Sequence, residues 1–195
     1  LLLLSFVASL SLHAVRVPWT TSRIVGLPRP PEPYKLERAF PKLSFQKPVE
    51  MVWSPELKRF ALLELAGKVY TFDDDQKAEK PALMIDLAEA VEGQRAYGMV
   101  FHPQFTKNRF IYLCYINERN KEKGTKVSRF RVRDTQPPTI DADSENIIIT
   151  WRSGGHNGCS LQFGPDGFLY ISTGDAAAPS PPDGLNTGQD ISDLL

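Results

Sequence analysis

Gly154-Gly155-His156-Asn157-Gly158-Cys159-Ser160-Leu161-Gln162-Phe163-Gly164-Pro165-Asp166-Gly167-Phe168-Leu169-Tyr170-Ile171-Ser172-Thr173-Gly174-Asp175 is the stretch from which the rest of the chain can be read. A glycine-rich turn carries one histidine. An apolar-alternating run follows, then Gly-Pro-Asp-Gly, then a second such run ending on an aspartate. Proline sets φ at the turn, Gly167 takes the position that a side chain resists, and the flanking runs alternate as half-buried strands do. The stretch is therefore expected to be a β-hairpin with His156 and Asp175 brought back to one end.

The hairpin is not alone. An aromatic two residues before a proline, followed by an apolar strand, occurs at Trp53-Ser54-Pro55 with Phe60-Ala61-Leu62-Leu63, at Phe101-His102-Pro103 with Phe110-Ile111-Tyr112-Leu113, and at Phe163-Gly164-Pro165 with Phe168-Leu169-Tyr170-Ile171. A repeat of about fifty to sixty residues suits four-stranded propeller blades stacked radially. A β-sandwich gives no reason for the recurring hairpin. Further strand signals lie at Ala61–Leu65, Lys68–Phe72, Phe110–Tyr115, Val127–Val132 and Ile147–Trp151, each short and rich in β-branched or aromatic residues. Pro81–Val91 reads as a short helix or as a strand followed by a turn.

Upstream of the strands, residues 1–14 form a short apolar run ending among small residues, the pattern of a signal-peptide remnant, and imply a periplasmic or secreted protein. Residues 15–33 contain Pro18, Pro28, Pro30, Pro31 and Pro33 and read as an extended linker. The propeller part is expected over 34–195, and a final apolar run without a terminating turn makes the chain read as a fragment holding about half the blades. The run at the start is too short to span a bilayer. Twenty-three Lys and Arg balance twenty-three Asp and Glu, so no net field would steer a nucleic acid, and the expected ligand is neutral or small.

The string from His156 to Asp175, the upstream Gly98-Met99-Val100-Phe101-His102-Pro103-Gln104-Phe105, and Gln189-Asp190-Ile191-Ser192-Asp193-Leu194-Leu195 resemble the glucose/sorbosone dehydrogenase family from about Val49 onward. The resemblance implies a six-bladed all-β propeller. It also implies a PQQ-dependent sugar dehydrogenase that oxidises an aldose to its lactone by hydride transfer to the quinone. His156 matches the general base, a role suited to an imidazole whose pKa lies near neutrality. Asp175 matches the carboxylate that fixes its tautomer. Gln94 is the nearest match to a glutamine beside the cofactor, with Gly93 at the strict position, and Asn157 matches an amide of the same pocket. Ser160 departs from the family, many of whose members carry a basic residue there.

PQQ and calcium are the implied cofactors. Their principal ligands are expected beyond Leu195, so this chain by itself is expected to be inactive. A cytochrome or quinone would accept the electrons.

From the residues alone, Asp73-Asp74-Asp75 and Asp141-Ala142-Asp143 read as solvated hairpin turns rather than calcium ligands, Glu118–Lys126 as a charged loop, and His102 as a structural turn residue. No residue is assigned to a metal. Cys114 and Cys159 read as independent thiols, their pairing left open. The rival function is a non-catalytic propeller, a ligand-binding or interaction module.

Overall fold

The computed structural model describes residues 35–117 and 121–177. The chain divides into two units, Leu1–Glu37 and Arg38–Leu195. The expected leader and linker, and the closing run from Gln189, lie outside the described residues.

Each strand run of the sequence becomes a strand of an antiparallel sheet. The first sheet has the order β1 (Pro48–Ser54), β2 (Arg59–Glu64), β3 (Lys68–Asp73), β4 (Ala82–Asp86). A one-turn helix, α1 (Leu87–Val91), leads to the second sheet: β5 (Arg95–Phe101), β6 (Phe110–Ile116), β7 (Thr125–Val132), β8 (Ile140–Trp151). A helical turn, α2 (Phe105–Asn108), lies between β5 and β6. β9 (Cys159–Phe163) and β10 (Leu169–Thr173) then form a two-stranded hairpin. The aromatic-x-Pro repeat therefore marks the first hairpin of three successive units, two of them complete up-and-down blades. The fold is a partial β-propeller.

Period-two alternation decides which face meets which neighbour. On β6, Ile111, Leu113 and Tyr115 face the first sheet, where they pack with Ala61, Leu63 and Val69, while Tyr112 and Cys114 face the third hairpin. Leu161 of β9 is buried against Tyr112, Val127 and Trp151, and its neighbours Ser160 and Gln162 point to solvent. Burying one such aliphatic side chain contributes about 1.5–3 kcal/mol. Face-to-face stacking of blades is thus the main source of stability. The other face of the first sheet holds Phe60, Leu62 and Phe72 under Phe40, Leu43 and Phe45. The innermost strands of the two sheets are also joined directly, because the Met99 N–H donates to Glu50 Oε2 at 2.7 Å. Half-burial pushes the Glu50 carboxyl up from its usual range.

Pro81–Val91 is both things its pattern allowed: β4, then α1, whose start is capped by the Asp86 carboxylate accepting the Ala88 N–H at 3.1 Å. Asp141-Ala142-Asp143 is corrected. It is no turn but part of β8, a twelve-residue outer strand on which Asp143 is exposed while Glu145 turns inward to accept from Tyr115 and Ser128. Asp141 accepts from Arg133 at 2.6 Å, which holds its carboxyl below the usual range. An outermost strand tolerates such charges because only one edge is paired. Asp73 ends β3 and pairs with Arg59, so the acidic run does begin a turn.

Candidate active site

His156 and Asp175 meet. The register of the third hairpin pairs Cys159 with Thr173, and the ladder continues past the strand ends: Gly174 N–H to Asn157 O at 3.3 Å, Ala176 N–H to His156 O at 2.9 Å, and His156 N–H to Ala177 O at 2.9 Å. Two glycines permit this approach. A Cβ on Gly154 would lie 1.6 Å from Ala176 O, and one on Gly174 would lie 2.3 Å from His156 O, so no side chain fits at either position. His156 Nδ1 then stands 3.1 Å from Asp175 Oδ1, with both side chains half exposed.

The carboxylate is held in turn by the backbone. The Ala177 N–H donates to Asp175 Oδ1 at 3.0 Å. That bond, followed by the one from His156, holds the Asp175 carboxyl below its usual range. An ionised carboxylate on Nδ1 favours the tautomer that carries its proton there. Nε2, which has no partner among the described residues, is then the basic nitrogen.

Asn157 is placed differently from His156. It is buried, and its amide clamps the turn: Oδ1 accepts the Gly154 N–H at 2.6 Å and Nδ2 donates to Gly154 O at 2.6 Å. The loop is braced from below by Trp151, whose Nε1–H donates to Thr173 Oγ1 at 3.1 Å, and Thr173 Oγ1 lies 3.2 Å from Asn157 O. Beside the loop is a cavity of about 340 Å³ lined by Ile116, Lys121, Ser153, Gly154, Gly155 and Asn157. Gln94 lies at the same rim but in a neighbouring cavity of about 360 Å³ with Gln46, Lys47, Leu65, Ala66 and Arg95. Ile116 connects the two, since it lines the first and its carbonyl accepts the Gln94 N–H at 2.7 Å.

Lys47, Arg95, Lys121, Ser153 and Thr173 were not singled out by the sequence reading. Counting back from each repeat proline would have found the first two. His102 sits at the opposite rim, where Nδ1 accepts the Gln104 N–H at 2.9 Å and the ring stacks on Tyr112. Burial and the nearby Arg129 hold it below its usual range, as befits a packed turn residue. Cys114 and Cys159 are unpaired thiols in contact, and the hydrogen bond between them, with burial, pushes the Cys114 thiol far up. Among the described residues no three His, Cys, Asp or Glu side chains gather as metal ligands would.

A family model described as Glucose / Sorbosone dehydrogenase matches residues 45–194. The chain belongs to the glucose/sorbosone dehydrogenase family. Quinoprotein glucose dehydrogenase B of Acinetobacter calcoaceticus is 24% identical over 139 residues, 68% of this chain and 29% of that protein. Hedgehog-interacting protein of Mus musculus is 29% identical over 85 residues, 40% of this chain and 12% of that protein. The chain therefore spans under a third of each.

Among solved structures, the PQQ-bound aldose sugar dehydrogenase of Streptomyces coelicolor superposes with TM-score 0.63 at 18% identity, over 82% of this chain and 45% of that one. A glucose dehydrogenase gives 0.53 at 20% identity, over 67% and 41%. At these identities the structures establish the propeller fold of this family member and nothing finer.

Proposed function

We propose that the protein of which this chain forms part oxidises an aldose sugar at C1 to the lactone, with PQQ as hydride acceptor and His156 as general base. The observation that carries the proposal is the His156–Asp175 pair, held by a backbone ladder with Nε2 left open. Nε2 takes the proton of the anomeric hydroxyl as the C1 hydride departs. Asp175 orients the ring and stabilises the imidazolium, the division of labour of base–carboxylate pairs generally.

PQQ, when bound, supplies the two-electron acceptor. The rim fits an anionic, hydrogen-bonding quinone: the Gln94 amide and the Lys121 ammonium line its cavities without a partner among the described residues. Asn157 acts by shaping the turn, because both ends of its amide already bond Gly154. The described residues offer no calcium ligand set, so no residue here is assigned to that ion. A periplasmic or secreted location and a cytochrome or quinone electron acceptor complete the reading.

The test is dye-linked aldose oxidation by the full-length protein with PQQ and calcium, beside His156→Asn. PQQ-dependent turnover that collapses in the variant supports the base. Turnover that survives the substitution removes it.

A second reading, a non-catalytic binding propeller, is favoured by the likeness to Hedgehog-interacting protein. It predicts no PQQ binding and no effect of His156→Asn on turnover, because there would be none.

A further inference from the structure

The three hairpins can be superimposed in sequence on their prolines. Nine residues before Pro55, Pro103 and Pro165 stand Gln46, Gln94 and His156; eight before stand Lys47, Arg95 and Asn157. The structure confirms the equivalence. Lys47 O accepts from Leu65 N, Arg95 pairs with Ile116, and Asn157 O accepts from Gly174 N, so each sits where the first strand of its hairpin meets the end of the second. In a radially repeated fold, equivalent positions lie on one ring around the axis. The base of the third hairpin thus has an amide–cation dipeptide as its counterpart in each of the other two.

Those two dipeptides converge. Gln46, Lys47, Gln94 and Arg95 line the single cavity of about 360 Å³ between the first and second sheets. Several other cations of the blades are matched: Arg59 with Asp73, Lys68 with Asp86, Arg109 with Asp134, Arg133 with Asp141. Lys47 and Arg95 have no carboxylate partner among the described residues. The nearby Glu64 is buried and turned onto the Gln46 N–H. Two cations and two amide donors in one concavity are the chemistry that binds a carboxylate, with guanidinium able to engage both oxygens.

We infer that this cavity is a recognition site for the carboxylate of an acidic sugar, so that the substrate class is a uronic acid rather than a neutral aldose. The inference rests on the proposed oxidation and specifies its substrate. The carboxylate sits over Lys47 and Arg95 while the reducing end reaches the adjoining rim that carries His156. The overall charge balance of the chain does not bear against this, because a local pair of cations is invisible in a sum.

Direct binding tests the site without turnover. Calorimetric titration of the full-length protein with glucuronate and with glucose should show glucuronate binding at least about tenfold tighter, the effect of one charge-assisted hydrogen bond. The preference should vanish in Lys47→Gln/Arg95→Gln and persist in Lys47→Arg. A parallel PQQ titration separates the two sources of carboxylate. PQQ affinity that holds in the double variant supports the assignment to sugar; PQQ affinity that falls about tenfold or more while sugar preference stays overturns it. Equal affinity of the wild type for the two sugars also overturns it. Charge-dependent glucuronate binding without oxidation of any aldose would sustain the site and remove the catalytic reading instead.

Discussion

The two ends of the same three hairpins obey different rules. At the proline end they are copies: Trp53, Phe101 and Phe163 each precede a turn proline by two residues, and each turn opens an apolar strand that buries a face against a neighbouring sheet. At the other end they diverge into Gln46-Lys47, Gln94-Arg95 and His156-Asn157. The copied end is constrained by turn geometry and by the need to bury a sheet face against a neighbour. The divergent end carries only the chain's entry into the first strand, so its side chains are free to differ, and there the chemistry collects.

The largest effect should come from the divergent end at the base itself. His156→Asn is expected to lower kcat by about 10²–10⁴, the usual worth of a positioned general base, with the far-ultraviolet circular dichroism unchanged. Adding Gln94→His to that variant sharpens the comparison. No recovery of activity is expected, because only the third hairpin supplies the carboxylate and ladder that orient the ring.

Removing the orienting carboxylate should cost less. Asp175→Asn is expected to reduce kcat/KM about 10- to 100-fold, the scale of a hydrogen bond to a charged group. The pH dependence has a definite sign. The folded-state pKa of Asp175 is depressed, first by the Ala177 N–H and then by His156, so its contribution is present above the ordinary carboxylate pKa and disappears as pH falls through the depressed value. Turn stability should accordingly weaken in the acid range for the wild type. The acid-range dependence should flatten in Asp175→Asn, read by hydrogen exchange at Ala176 and Ala177.

Within the site loop, two glycines four residues apart should behave oppositely. Gly154→Ala places a methyl against Ala176 O and is expected to destabilise by about 1–3 kcal/mol, as overpacking does, read as a fall in the denaturation midpoint. Gly158→Ala meets nothing within 4 Å and should leave the midpoint nearly unchanged.

The smallest effect lies between the blades. Glu50 has a raised folded-state pKa from burial, so its charge works against the fold increasingly as pH rises above the ordinary glutamate range. Glu50→Gln keeps an oxygen for the Met99 N–H and removes that charge. Its melting temperature at neutral pH should equal or slightly exceed the wild type, with the difference shrinking in acid.

Much of the scaffold was legible because local chemistry repeats. The strands β2, β3, β6 and β7 announced themselves through β-branched and aromatic runs, and the hairpin pairing followed from the prolines. β4 and the first half of β8 were harder. Ala82–Asp86 runs straight into a capped helix, and Ile140–Asn146 is polar because it lies at the outer edge, so neither shows the alternation of a half-buried strand. The meeting of His156 with Asp175 was readable from one hairpin returning to its own start. The spent amide of Asn157 was not, since which groups a buried amide satisfies depends on a backbone only the folded loop brings near.

By itself the sequence determined the repeat, the turns and the histidine, because φ preferences and alternation act over a few residues. Only the tertiary structure decided which rim each turn occupies, that Gln46-Lys47 and Gln94-Arg95 share one cavity, and that Ile116 joins it to the His156 loop. Those relations span whole blades, and they arise from stacking apolar faces rather than from any property of the residues that end up together.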